Sequence, residues 1–457
     1  MAAKHSEQAA CPIPAPLARG GNRPSEGVST DPGKAGAAFG RQLGRWPLWP
    51  PRSAYLHIPF CHRRCYYCDF AVVPLGDRAS GAAGDPGSTS IEAYLALLLE
   101  EISTAPDGPP LSTVYVGGGT PSMLSAEQLA RLLSALRQRF GLAAGAEVSL
   151  EMDPASFDQA RLAAYLAAGV TRVSLGGQSF DDTVLERLGR RHRCADLLQA
   201  AGWLRQAQER GSLASWSLDL IQGLPGMDLP AWREQLRRAI ELQPPHLSVY
   251  DLIIEPGTVF ERQEARGQLQ LPEDDLAADL METTAGDLAG AGYGHYEISN
   301  YALPGHASRH NRVYWSGAGW WGFGLGATSA PWGERLARPR TREGYAAWLR
   351  EQEAAEASAG RPEEAGSALP FEERVMVGLR RREGVRLDAL AGEAGLSAAA
   401  LADLERRWQP FRQTGLLLRR GPRWCLSDPK GLALSNAVLR ELLVWWERWS
   451  ADPPPSP

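Results

Sequence analysis

Six short apolar runs, each stopping at Gly, Pro or a charged residue and each followed by an amphipathic stretch, constrain this chain more than any other feature. They read "SAYLHIP" from Ser53, "STVYVGGG", "AEVSLEMDP", "TRVSLGGQSF", "SWSLDLIQGLP" and "HLSVYDLIIEP". Between them lie segments such as "SAEQLARLLSALRQRF", "FDQARLAAYLAAG" and "LPAWREQLRRAIELQ", with apolar residues at three-to-four spacing. Strand and helix alternating at this interval predict parallel βα units. A seventh run, "HYEISNYA", follows a predicted helix from about Asp274 to Ala289. Six or seven units suit an α/β fold of the partial parallel (β/α) TIM-type barrel better than a doubly wound sheet. In either architecture the chemistry gathers at the C-terminal ends of the strands.

The stretch "HIPFCHRRCYYCDF" falls at the first such end and carries three of the six cysteines, Cys61, Cys65 and Cys68. The others, Cys11, Cys194 and Cys425, have no framework spacing, which predicts a reducing compartment, and the expectation is cytoplasmic. No run approaches the roughly 18 apolar residues of a membrane helix, and the N-terminus lacks the order of a signal peptide. A net charge of -5 offers no concentrated basic surface for nucleic acid. The fifteen tryptophans, several crowded at Trp315, Trp320 and Trp321, fit either a large flat apolar partner or a large core.

The chain divides into five expected parts. Residues 1–50, rich in Pro, Gly, Ala and Ser, predict a disordered extension; 51–335 the barrel core; 336–367 a linker; 368–448 a small domain; and 449–457 a disordered tail. Residues 77–90 read as a flexible insertion after the cysteine loop. In the small domain, helical segments and a hairpin turning at Gly421-Pro422 predict a winged helix. Its Arg and Glu are interleaved, which favours packing over DNA binding.

Three thiolates on one tight loop call for a soft metal centre, zinc or iron–sulfur. A structural zinc site needs four protein ligands, and paired C-x2-C units are missing, so zinc would have to recruit His57 or His62. Three thiolates on a four-iron cluster leave one iron open. Elsewhere Gly117, Gly118 and Gly119 fit either close approach to a ligand or an ordinary tight turn. Glu151 and Asp219 end strands, as ligand-binding carboxylates or cap partners. Arg190, in "GRRHR", is a pocket cation or a solvated charge.

The C-x3-C-x2-C run with Tyr67 before its last cysteine resembles the radical S-adenosylmethionine (SAM) signature. With "GGGTPS", "LEMDP", "GVTRVSLGGQSF", "LDLIQGLPG", "HLSVYDLIIEPGT" and "YEISNYALPGHASRHNRVYW" following in order, the chain is similar to the oxygen-independent coproporphyrinogen III oxidase family and its heme-chaperone branch. The resemblance covers about residues 53–330, and the small domain extends it to about 445. It implies a 4Fe-4S cluster on Cys61, Cys65 and Cys68, whose open iron chelates SAM and delivers an electron to its sulfonium. It also implies SAM contacts from Tyr55, Tyr67, Gly118, Gly119, Thr120, Glu151, Gln178, Arg190 and Asp219.

Two features decide between the branches. The oxidase pattern continues to a further cysteine, whereas this chain has Asp69-Phe70, as the chaperone branch does. "HNRVYW" resembles that branch's heme-binding element, which implies His310, Asn311, Tyr314 and Trp315 as heme-binding residues, with His306 as the fallback ligand. A histidine capping a turn and aromatics filling a core are the structural alternative. Many relatives carry cysteine where Ser308 stands and histidine where Thr328 stands. The reading is therefore a chaperone that binds a cluster, SAM and heme and delivers heme to apo-hemoproteins. The enzymatic competitor is decarboxylation of two coproporphyrinogen propionates to give protoporphyrinogen. A zinc-stabilised interaction protein is the non-family alternative, and homodimer formation is left open.

Overall fold

The computed structural model describes residues 50–331, 333, 335–359 and 369–451. The predicted extension, the end of the predicted linker and most of the predicted tail lie outside the described residues. The six runs form β1 (Ser53–Ile58), β2 (Leu111–Gly118), β3 (Leu142–Met152), β4 (Arg172–Gln178), β5 (Ser215–Gln222) and β6 (His246–Asp251). These pair in parallel in sequence order, so the expected partial parallel barrel is present. The seventh run differs from expectation. It folds back at Ile298-Ser299, so that β7 (Gly294–Glu297) and β8 (Asn300–Ala302) are antiparallel to each other, with β8 antiparallel to β6. A final strand, β9 (Trp321–Phe323), adds in parallel to β1, giving the order β9-β1-β2-β3-β4-β5-β6-β8-β7.

Helices α1 (Ser88–Thr104), α2 (Ala126–Arg139), α3 (Gln159–Ala168), α4 (Cys194–Glu209), α5 (Leu229–Glu241) and α6 (Asp274–Gly290) cover the outer face. Their starts are readable: Ser125 and Gln128 form a capping box on α2, and Asp158 and Asp228 cap α3 and α5. The two-residue period of each strand then separates two environments. Ala54, Leu56 and Ile58 are fully buried in the apolar cluster, while Tyr55 and His57 alternate with them toward the lumen. Trp232 of α5 is fully buried, and its indole N–H donates to Thr284 of α6 at 2.8 Å, which offsets the cost of burying a polar group.

Two low-complexity stretches are more ordered than composition implies. In the segment read as flexible, Ala79 is 3% exposed and the Gly81 amide donates to Met123 O at 2.8 Å. The predicted linker, 336–367, opens with Leu336–Ala337 paired antiparallel to Thr328–Ser329 and runs on through Arg338 into α8 (Arg342–Ala359), after α7 (Arg309–Ser316). Buried Glu101 of α1 holds this part down. Its carboxylate accepts from Arg338 Nε at 2.8 Å, from the Tyr345 hydroxyl at 2.6 Å and from the Gly324 amide at 2.7 Å. A charge pair between residues 237 apart leaves no local trace in composition.

The C-terminal part comprises α9 (Phe371–Leu379), α10 (Leu387–Glu393), α11 (Ala398–Arg407), a hairpin of β10 (Leu417–Arg420) and β11 (Arg423–Leu426), and α12 (Ser435–Ala451). These elements enclose a separate apolar cluster with Trp408, Trp424 and Trp445 at its centre. This part also covers the outer edge of the sheet: Glu297 of β7 bridges to Arg381, and the Arg382 amide donates to Tyr296 O at 3.2 Å. No helix among the described residues is long and apolar enough to cross a membrane.

Replacing Glu101 by Ala leaves the Arg338 guanidinium buried and unpaired, so we expect a loss of about 3 kcal/mol, read as a fall in the urea midpoint at unchanged slope.

Candidate active site

Beyond β1 the chain runs through two-residue strands, Phe60–Cys61 and Val73–Pro74, that pair with each other and close the cysteine loop at its base. The loop is pinned at three further places. His57 Nε2 bonds to Ala71 O at 2.9 Å, the Tyr66 amide donates to Leu188 O at 3.0 Å, and the Phe260 amide donates to Tyr66 O at 3.1 Å. Both His57 ring nitrogens are engaged, the second with the Tyr55 hydroxyl at 2.9 Å, so His57 offers no ring nitrogen as a fourth metal ligand.

The three cysteines line one cavity of about 450 Å³ at the C-terminal end of the barrel. Tyr67, Gly118, Gly119, Thr120, Glu151, Gln178, Arg190 and Asp219 line it too, so the predicted SAM residues converge on the cysteines from five strands or loops. Tyr55 does not line the cavity. It lies in the lumen stacked on Tyr115, ring centroids 6.2 Å apart.

Glycine is required at two of these positions. Gly118 has φ of 121°, and a Cβ there would meet His57 Nδ1 at 2.7 Å; a Cβ on Gly119 would meet Cys61 Sγ at 2.8 Å. The glycines thus let the end of β2 pass against the cysteine loop. Gln178 stands where the register between β4 and β5 shifts, with a left-handed φ of 64° uncommon outside glycine.

Two carboxyls face the cavity in different states from a third. Glu151 accepts from the Tyr115 hydroxyl and from the Gly118 amide, both at 2.9 Å, yet burial pushes its pKa up to about 7. Burial likewise raises Asp219, against hydrogen bonds from Ser174 at 2.7 Å and Ser217 at 3.1 Å. For Asp153 burial also opposes the charge, but Arg190 and His192 outweigh it and hold the carboxyl low. Arg190 bonds Asp153 at 2.7 Å and Gly176 O at 2.9 Å, which decides against the solvated-charge reading.

The cysteine loop fits a cluster. Burial pushes the Cys61 thiol up to about 12 against a lowering contact from Thr120, and burial raises Cys68 against the Phe70 amide. Arg190 Nη1 donates to Cys65 Sγ at 3.6 Å. Each sulfur therefore faces a donor, the kind of contact that orients and tunes a thiolate ligand. Among the described residues no three His, Cys, Asp or Glu side chains form a single-ion site, whereas the corners of an iron–sulfur cube take ligands that stand apart.

The "HNRVYW" element does not line the cavity, but its His310 ring stacks on Tyr115, which does, with centroids 5.1 Å apart. The element forms α7, whose Arg309 and His310 amides donate to Glu147 and whose N-cap Ser308 accepts from the Asn311 amide at 3.2 Å. His310 is 1% exposed. Its Nδ1 bonds to Thr113 Oγ1 at 2.8 Å and its Nε2 to the Tyr314 hydroxyl at 2.9 Å. Thr113 begins the inward row of β2, five residues and about 16 Å below Gly118 at the usual strand rise. Both ring nitrogens of His310 are thus bonded, within the core at the barrel floor. Tyr314 packs edge-on against Trp320, and Trp315 lies under Arg380 of the C-terminal part, 5.6 Å from ring centroid to guanidinium. Asn311 is half-buried on the same helix. His306 bonds Ser215 at the same end of the barrel, at 3.1 Å.

Sequence reasoning missed Tyr115, Asp153, Ser174 and Tyr250, all of which line the cavity. The alternation that placed Glu151 and Asp219 also places Tyr115, two residues before Gly117. The recurring Ser of "RVSL", "WSLD" and "HLSV" was a further signal.

Residues 55–237 match the Radical SAM superfamily and residues 370–434 the HemN C-terminal domain. The chain is 39% identical to the heme chaperone HemW of Synechocystis sp., over 86% of this chain and 97% of that protein. It is 37% identical to HemW of Mycobacterium tuberculosis, over 86% and 95%. With the mitochondrial radical S-adenosyl methionine domain-containing protein 1 of Bos taurus it shares 34% identity, over 88% and 90%. The structure of coproporphyrinogen III oxidase (HemN) from Escherichia coli superposes with a TM-score of 0.67, covering 90% of this chain and 93% of that one at 24% identity, a likeness of fold.

The raised Glu151 carboxyl stabilises the fold fully below its ordinary 4.5, and that contribution declines as pH rises through about 7. We expect Glu151→Gln to flatten the melting temperature between pH 5 and 8 and to gain on the parent at pH 8; parallel curves would remove Glu151 as the titrating group.

Proposed function

The chain belongs to the HemW family of heme chaperones within the radical SAM superfamily, and from that membership we propose that it carries a 4Fe-4S cluster, binds SAM beside it, and passes heme to apo-hemoproteins. The observation that carries the reading is the convergence of Cys61, Cys65 and Cys68 with the predicted SAM residues on one cavity, in a chain similar to heme chaperones over most of their length. The cluster, when bound, supplies one-electron reduction of a sulfonium. This chain's own residues supply position. Glu151 and Asp219 offer carboxyl oxygens to ribose hydroxyls or an ammonium group, Gln178 offers an amide, and Tyr67 offers a ring to flank the adenosyl moiety.

The decarboxylase reading has less support, since its structural counterpart shares only the fold. Asp69-Phe70 in place of a further cysteine points the same way. Phe70 is 53% exposed at the cavity mouth, where an apolar side chain suits contact with a hydrophobic ligand. The five described cysteines are unpaired, in keeping with a reducing compartment such as the cytoplasm. His310 is left out of the iron ligand set because both its ring nitrogens are bonded.

Reduced holoprotein given coproporphyrinogen and SAM is expected to form no protoporphyrinogen, while heme-loaded protein transfers its heme to an apo-hemoprotein, followed by the Soret band of the acceptor. Stoichiometric vinyl formation would overturn the chaperone reading. His310→Ala should bind heme within about twofold of the parent and unfold at lower urea, having left the Thr113 and Tyr314 hydroxyls unpaired; a loss of heme binding without loss of stability would restore His310 as a ligand.

A further inference from the structure

Among the described residues, Cys65 is the loop cysteine whose sulfur accepts a hydrogen bond from a cation. Arg190 Nη1 points at its sulfur at 3.6 Å, while Cys61 faces a neutral hydroxyl and Cys68 a backbone amide. The guanidinium is not free to choose this contact. Nη2 is held by Asp153 Oδ2 at 2.7 Å and by Gly176 O at 2.9 Å, and Nε reaches His192 Nδ1 at 3.4 Å. His192 is itself fully buried and tied to Gly177 O at 3.0 Å. The Arg190 and Asp153 side chains are 12% and 15% exposed, so the pair works in a medium that screens little. The clamp therefore leaves Nη1 free to face the ligand sulfur, with the Tyr67 hydroxyl as the guanidinium's further partner.

Resting on the cluster reading above, we propose that Arg190 is a positioning residue for the cluster. It donates a charge-assisted hydrogen bond to the Cys65 sulfur and so raises the cluster's reduction potential, with Asp153 fixing its direction. One-electron reduction adds a negative charge to the cluster, and a donor on a ligand sulfur stabilises the reduced form more than the oxidised one. The resemblance assigns Arg190 to SAM. A direct role on the sulfur is different in kind, because it acts before SAM is present.

The test is a dithionite titration of the full chain, reconstituted anaerobically without SAM and followed by electron paramagnetic resonance, with iron and sulfide counted in each variant. Arg190→Gln is expected to make the cluster at least tenfold harder to reduce, a negative midpoint shift of about 59 mV for one electron. The double variant Asp153→Asn/Arg190→Gln removes both charges together and is expected to keep a negative shift, since the sulfur still lacks its donor. Arg190→Lys retains the charge without the fork and should fall between parent and Arg190→Gln; it decides the matter where Arg190→Gln fails to load. An unchanged midpoint in a loaded Arg190 variant, or a double variant that titrates with the parent, overturns the proposal while leaving the cluster reading intact. A parent chain that takes up no cluster overturns both.

Discussion

Strand alternation across six parallel strands is the constraint on which the rest of the molecule depends. It sends Leu56, Val114, Leu150, Val173, Leu218 and Leu247 outward into a dry layer under the helices. The intervening residues, among them Tyr115, Glu151, Ser174, Asp219 and Tyr250, turn inward to a polar lumen. Because the strands are parallel, their C-terminal ends fall together, and residues from Cys61 to Tyr250 meet at one mouth. The apolar layer holds the barrel together and thereby pre-positions a set of carboxyls, hydroxyls and thiols that burial would otherwise make expensive.

The two ends of the lumen have different jobs. At the mouth, carboxyls and thiols line a cavity, and burial raises Glu151, Asp219 and Cys61 above their ordinary pKa values. At the floor, α7 closes the barrel: His310 and Tyr314 seal the lumen through Thr113 and the Tyr115 ring, while Trp315 and Arg312 meet Arg380 and Glu383 of the C-terminal part. The same hexapeptide thus joins barrel floor to C-terminal part. The Arg312–Glu383 pair is about 40% exposed and contributes little energy of its own; the half-buried Trp315 ring under Arg380 adds a second contact.

What was legible in the sequence was whatever is written locally. Six strands announced themselves by β-branched runs, the cysteine loop by spacing, and the cavity by the polar residue that ends each strand. Contacts between distant residues were not legible. Nothing near Arg190 reveals that Asp153, 37 residues away, will neutralise it, and nothing near Glu101 reveals Arg338. The seventh run has strand composition throughout, so its reversal at Ile298-Ser299 was hidden by residues that suit strand and turn alike. For His310 the residue type was informative and its address was not: an imidazole in an aromatic hexapeptide suits iron ligation or core bonding, and its bonds to Thr113 and Tyr314 have no local trace in the sequence.

The claim that the mouth is a cluster site open to a sulfonium ligand is tested most directly by low-temperature electron paramagnetic resonance of anaerobically reduced protein, recorded before and after addition of SAM. The account predicts the spectrum of a one-electron-reduced four-iron cluster, with g-values that change when SAM binds its open iron. A protein that holds zinc in place of iron and sulfide, or a cluster spectrum indifferent to SAM, would contradict it.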